Sequence, residues 1–534
     1  MNEPDVVILD GYVDEPAQLG VPPYISTEPR ILAGVCEELG LDWKYIPVDT
    51  YRKIGLPDSK ILLVHGGITV PGTYLSGTPM SQREAEELGE TDAETFLGGP
   101  LARYSEVYGY DHYSRKDLGA YFYDLLNGRC NDRWATLDER NRWLDLGSEV
   151  VKFHPMFPDP LIPEISTYRG CVRYFTGGCA FCSEPDYGKP EFRDQGDIIE
   201  EIQKMYDLGI RHFRHGGQSC IFSYKADGVG SSETPTPRPD ELEKLLRGIR
   251  EACPEIKVLH VDNANPAVIA NNEEQSIEIL KLLVEYTTSG NVLAFGMESA
   301  DPAVIEVNNL NTKPEEVEKA VKMVNEIGRE RGENGMPKLL PGLNFLGGLK
   351  GESPKSYLLN YEFLEKILNQ GLLLRRINIR QVLSSEERFE LKYKKEFRQF
   401  KKKVREEIDG EMLTLVVPKG TVLRDVYMEK KEGSITFGRQ VGTYPLLIGV
   451  EYPLELGRYY DVIITDHGYR SVTGIHHPFY LNEVGYRELQ AVPGIGKKRA
   501  AAIFRKRPED KEELRKIVED DTVLDTILCF TSFK

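Results

Sequence analysis

The sequence predicts an α/β protein: a partial (β/α)6 barrel of TIM type, preceded by a doubly wound α/β domain and followed by a small β-barrel and a helical hairpin module. Three observations predict it. At 534 residues the chain exceeds what one hydrophobic core usually supports. Between residues 163 and 381, six apolar β-rich runs alternate with helix-like stretches, which implies parallel strands joined by right-handed crossovers. From residue 412 the pattern turns to short alternating runs with many glycines, and the last 55 residues turn helical.

Residues 1–150 are predicted as the doubly wound domain. Its strand candidates are residues 6–10, 44–48 and 61–64, with helical periodicity over 29–39. Glycine-rich turns follow at His65-Gly66-Gly67 and Leu97-Gly98-Gly99-Pro100; the aromatic, charged stretch 111–146 carries no clear pattern. Residues 151–383 are predicted as the barrel, with strands at 164–168, 211–214, 257–261, 291–295, 339–345 and 375–381. Six repeats rather than eight suggest an open barrel with its chemistry on loops at the carboxyl ends of the strands. A charged helical linker is expected over 384–410, a β-barrel over 411–480 and the helical module over 481–534.

Forty per cent hydrophobic and 28% charged residues describe a globular chain. No apolar run approaches the roughly 18 residues of a membrane span, and the amino terminus lacks a basic-then-apolar signal, so a cytoplasmic location and no membrane partner are expected. A net charge of −18 argues against a protein that coats nucleic acid over its whole surface; a local basic patch stays open. Eight cysteines without a signal do not read as a disulfide framework. Cys36, Cys130, Cys220, Cys253 and Cys529 are scattered, as buried small hydrophobes are.

Cys171, Cys179 and Cys182 instead share one loop directly after the first barrel strand. Three thiolates there can ligate three irons of a [4Fe–4S] cluster, leaving the fourth iron open to a ligand. Gly170, Gly177 and Gly178 let the backbone wrap closely. Spacing alone leaves a second reading, a structural zinc site completed by His212 or His215.

The loop resembles that of the radical S-adenosylmethionine (SAM) superfamily, whose usual pattern is Cys-x3-Cys-x-aromatic-Cys. Phe181 supplies the aromatic residue; the first gap is seven residues rather than three. Three further segments resemble that family. Gly216, Gly217 and Gln218 close the second strand, like the loop that takes the methionyl amino group. Gly296, Glu298 and Ser299 close the fourth, like the segment contacting ribose and methionyl groups. Gly347 and Gly348 close the fifth, like the segment near adenine. The resemblance implies an enzyme that reductively cleaves S-adenosylmethionine at a [4Fe–4S] cluster and lets the resulting radical abstract a substrate hydrogen. It also implies an electron donor such as ferredoxin or flavodoxin. Cys220, two residues beyond the second-strand loop, is a candidate hydrogen donor or metal ligand set against a structural thiol.

The flanking regions carry looser likenesses. The amino-terminal unit resembles the cobalamin-binding-like domain of many such enzymes over residues 63–71 and 96–100. The Asp-x-His-x-x-Gly pattern is missing, with Leu63 and Ile68 in its outer positions, so cobalamin is allowed but not favoured. Residues 419–475 resemble a TRAM β-barrel, a tRNA-gripping module. Gly494, Gly496, Lys497, Lys498 and Arg499 resemble a helix-hairpin-helix turn, whose backbone N–H groups suit a phosphate. Together these imply modification of a structured RNA, tRNA first, with a peptide or small-molecule substrate as the alternative.

Overall fold

The computed structural model describes residues 3–15, 18–68, 76–382 and 389–534. Strand β1 (Val6–Asp10) is a continuous apolar run buried along its length, as a strand covered on both faces must be. A two-residue strand β2 (Tyr24–Ile25) and helix α1 (Thr27–Leu39) follow. Strands β3 (Trp43–Pro47), β4 (Ile61–His65), β5 (Glu94–Gly98) and β6 (His112–Tyr113) complete a parallel sheet with β1, in the order β3-β1-β4-β5-β6. The order reverses between β1 and β4, whose last residues Asp10 and His65 lie side by side; such a crevice is where doubly wound sheets bind ligands. Of the segment 63–71 singled out in the sequence, residues 69–71 lie outside the described residues. The unpatterned stretch forms β6 and helices α2 (Leu118–Leu126) and α3 (Leu137–Leu146).

The central unit is a curved run of parallel strands. β7 (Ile162–Ile165), β8 (His212–His215) and β9 (Val258–Val261) extend from β2 in the order β9-β8-β7-β2. β10 (Asn291–Glu298), β11 (Leu339–Gly347) and β12 (Arg376–Gln381) form the second arc, joined to the first by a bridge between Ala264 and Phe295. The six expected strands are present, and β2, from the amino-terminal region, adds a seventh at the edge. The first begins earlier than expected and stops at Ile165. Tyr168 and Arg169 instead pair antiparallel with Phe192 and Glu191, in a ribbon that frames the cysteine loop.

The expected border near residue 150 does not divide the packing. One hydrophobic core contains Ile8, Ile31 and Trp143 together with Ile202, Phe213 and Leu293. Buried Arg30 of α1 and Arg193 clasp Glu201, on helix α4 (Gln195–Asp207), at 3.0 and 2.6 Å.

The linker helix α5 (Lys394–Lys403) runs through a π-helical turn into α6 (Gly410–Val416). Residues 411–416, expected within the β module, are therefore helical, because Met412, Leu413 and Val416 pack inward on that helix. Strands β13 (Val422–Glu432), β14 (Ile435–Gln440), β15 (Leu447–Val450), β16 (Tyr459–His467) and β17 (Ser471–His477) close a barrel in the order β13-β14-β15-β17-β16. Helices α7 (Lys497–Lys506), α8 (Lys511–Val518) and α9 (Asp521–Leu528) pack into the same core as this barrel.

The small barrel sits at the amino-terminal ends of the large barrel's strands. Thr443 N–H donates to His260 Nδ1 at 2.9 Å, and Tyr24 Oη donates to the Gly442 carbonyl at 2.7 Å. Arg376, at the start of β12, lies 3.9 Å above the Tyr444 ring. The 440–447 loop thus plugs the end of the large barrel remote from the cysteines. Among the described residues no helix is long and apolar enough to cross a membrane.

Candidate active site

The cysteine loop leaves β7 and crosses the mouth of the barrel. Gly170, Gly177 and Gly178 have φ of +94°, +79° and +62°, conformations that disfavour a side chain. Beyond β10, Asn309 Nδ2 donates to the Gly178 carbonyl at 2.6 Å, and Ala180 N–H donates to the Asn308 carbonyl at 3.0 Å. Phe181 packs into a small apolar cluster with Val304, Leu349 and Val382. Strand one's loop is thereby tied to the far arc, roofing the mouth.

The three cysteines are half-buried and form no disulfide. Burial pushes all three thiols up, Cys179 to about 12. Cys182 lies within electrostatic reach of both others. Arg173 opposes burial: its Nη1 donates to Cys179 Sγ at 3.2 Å and its backbone N–H to Cys171 Sγ at 3.4 Å, favouring thiolates as metal ligation requires. Among the described residues no three His, Cys, Asp or Glu side chains converge to hold a single ion. The histidines weighed as zinc ligands face other partners. His212 Nδ1 is 3.6 Å from Asp159, and His215 lies within reach of Glu201 and Arg193.

Beside Cys179 lies a cavity of about 110 Å³ lined by Asn265, Gly296, Glu298 and Asn311. Glu298 follows a bulge in the β10–β11 pairing and has φ +60°, strain of a kind that clusters at functional sites. Its Oε2 and the Nδ2 of Asn311 are buried without hydrogen-bond partners. Burial raises the Glu298 carboxyl to about 8, leaving it mostly protonated at neutral pH. Soft sulfur donors, a neighbouring guanidinium and unsatisfied polar atoms around a cavity fit an iron–sulfur cluster with a polar ligand beside it.

Gly296 and Glu298 line the cavity, while Ser299 is buried behind it, accepting the Asp301 N–H at 3.2 Å. Gln218 is committed to the backbone carbonyls of His215 and Asp262 at 2.7 and 2.9 Å. Gly216 lies against the Arg214 guanidinium, and Gly217 N–H donates to the Ile165 carbonyl at 3.2 Å. Gly347 is covered by Phe397 of the linker helix, and Gly348 N–H donates to Glu352 at 2.8 Å. Cys220 is 3% exposed, its sulfur accepting the Asn265 N–H at 3.2 Å, which is a core position rather than an open one. Gly494, Gly496, Lys497 and Lys498 are exposed, with Arg499 bonded back to the Gly494 carbonyl at 3.1 Å; they lie with the small barrel, away from the cysteines. Residues missed in the sequence are Arg173, Asn309 and Asn311, which only the folded loop brings to the mouth.

Residues 165–364 match the model of the Radical SAM superfamily. An uncharacterized protein of Methanocaldococcus jannaschii is 46% identical over 504 residues, 88% of this chain and 92% of the relative. Another, from Archaeoglobus fulgidus, is 39% identical over 519 residues, covering 94% and 95% of the two chains. Among solved structures, the radical S-adenosylmethionine methyltransferase TsrM from Kitasatospora setae aligns with a TM-score of 0.47 at 15% identity, over 70% of this chain and 72% of that one. The cobalamin-dependent radical enzyme OxsB aligns with a TM-score of 0.46 at 12% identity, over 76% and 56%.

Proposed function

The chain belongs to the radical SAM superfamily, and from that premise we propose that Cys171, Cys179 and Cys182 hold a [4Fe–4S] cluster serving the modification of a carbon in a small molecule. The observation that carries the reading is the cavity beside Cys179, where Glu298 Oε2 and Asn311 Nδ2 lack partners. When bound, such a cluster supplies an open iron and one electron for cleaving S-adenosylmethionine. The chain's own residues do the rest. Arg173 favours the thiolate of Cys179, and Phe181 anchors the loop that excludes water from the mouth. Protonated Glu298 and Asn311 offer hydrogen bonds to the polar end of S-adenosylmethionine. Ferredoxin or flavodoxin is the class of electron donor the reading requires.

Two observations favour a small molecule. The mouth is roofed by its own loop, and the modules read as RNA-gripping pack at the opposite end of the strands. A second reading, modification of a structured RNA such as tRNA, draws on the exposed Lys497 and Lys498 at the start of α7. Cobalamin is given no step. His65 is only 3% exposed with its ring against Gly99, and the Asp-x-His-x-x-Gly pattern around it is missing, with Leu63 and Ile68 in the outer positions.

The test is electron paramagnetic resonance of the reduced, reconstituted protein. Adding S-adenosylmethionine is expected to change the wild-type spectrum and to leave that of Glu298→Ala nearly unchanged. A full response in the variant would remove Glu298 from the site.

A further inference from the structure

A second cavity, of about 110 Å³, opens between the doubly wound sheet and the cysteine loop. Its floor is the carboxyl ends of β4 and β5 beside the switch point, at His65 and Gly99, and its far wall is Ser183, Glu184 and Tyr187, which follow Cys182. Trp134 closes one side, its ring 4.2 Å from that of Tyr187. Nothing assigned above uses this space.

Its polar lining is unsatisfied in one sense only. Arg140 of α3 is 7% exposed and its Nε has no hydrogen-bond partner; Asp117 and Glu184 lie within electrostatic reach of it but form no hydrogen-bonded ion pair with it among the described residues. Arg169 spends one nitrogen on Glu191 and the Ala135 carbonyl, leaving its buried Nη1 without a partner. Both ring nitrogens of His65 lack partners as well. The acidic groups facing them are engaged: Asp117 accepts the N–H groups of Ala120 and Ala135 at 3.1 and 3.3 Å, and Glu184 that of Gly170. A buried guanidinium left unpaired is costly, and buried donors without partners call for an explanation. Five basic side chains (Arg103, Arg115, Lys116, Arg140, Arg169) against three acidic ones (Glu28, Asp117, Glu184) line the cavity.

We infer that this cavity binds an oxyanion, a carboxylate or phosphate of a small molecule, with Arg140 as its buried anchor and Arg169 as its second donor. A planar guanidinium is suited to either group. That the molecule is the one the radical chemistry modifies rests on the reading above and on the cavity's position against the cysteine loop.

Calorimetric titration of the full, anaerobically reconstituted chain with inorganic phosphate and, separately, with acetate tests the inference. One site per chain is expected for at least one anion, and the stronger of the two identifies its chemistry. Binding is expected to weaken about tenfold or more in Arg140→Gln, and by a smaller factor in Lys116→Gln, an exposed rim position that poses no risk to folding. Failure of both anions to bind, or undiminished binding in Arg140→Gln, would overturn the inference. Anion binding in a protein that never forms 5′-deoxyadenosine would leave the cavity standing and sink the radical reading instead.

Discussion

At Gly178 a single missing methyl group shapes the cysteine loop. Its φ is +62°, and a Cβ there would stand 2.5 Å from Pro185 Cγ. Gly178→Ala is expected to cost about 1–3 kcal/mol locally and to halve, at least, the iron retained through gel filtration. The global melting temperature should barely move, since the loop roofs the mouth and carries little of the core; full iron retention would contradict this account of the loop. The need for these glycines was legible in the sequence, because clustered cysteines and glycines ask for a tightly wrapped backbone. Glu298 was legible only as part of a motif. Nothing in a string of residues says that a glutamate stands at φ +60° with a carboxyl raised by burial. Gln218 and Gly347 mark the converse limit. Their motif positions look open, but Asp262 and Phe397, distant in sequence, occupy the space around them.

Among the elements, β9 shows how the plug is held. His260 Nδ1 accepts the Thr443 N–H, and its Nε2 donates to the Thr288 carbonyl at 3.1 Å, so the ring is neutral and fixed in one tautomer. Burial lowers it to about 4. A histidine depressed in the folded state contributes stability that is present above pH 6.5 and lost as pH falls through about 4. Thermal unfolding is therefore expected to lose up to about 1.4 kcal/mol per pH unit through His260 on acidification. His260→Gln should flatten the profile over that window; an unchanged slope would deny the coupling. Element types were legible throughout the barrel because short apolar, β-rich runs alternate with longer stretches of helical period. The stretch 111–146 was not, although Thr136 and Glu139 form a capping box that marks the start of α3. Its aromatic residues blur the helical period because several, such as Tyr121, Phe122 and Trp143, are buried while Tyr113 is exposed.

For the whole molecule, sequence divisions and packing divisions differ. The small barrel shares a core with Val292, Leu340 and Leu373 of the large one, so deleting residues after 416 strips the large barrel of its plug and says nothing about RNA. Charge reversal at the surface is the cleaner test of the second reading. Lys497→Glu with Lys498→Glu is expected to leave turnover of the small substrate unchanged and folding intact, both side chains being exposed. Loss of tRNA affinity together with RNA-directed turnover would instead favour the RNA reading. The order of modules was legible, but which end of the barrel the last two occupy was not. That depends on contacts such as Tyr24 with Gly442, 418 residues apart, which no local pattern encodes.

The central claim, that the cysteine loop supports reductive cleavage of S-adenosylmethionine, meets its most direct test in one assay. The protein is reconstituted anaerobically with iron and sulfide, reduced with S-adenosylmethionine present, and assayed for 5′-deoxyadenosine, with Cys179→Ala and Cys182→Ala alongside. Product is expected from the wild type and from neither variant. A wild type that binds zinc tightly, takes up no cluster and yields no 5′-deoxyadenosine would contradict it.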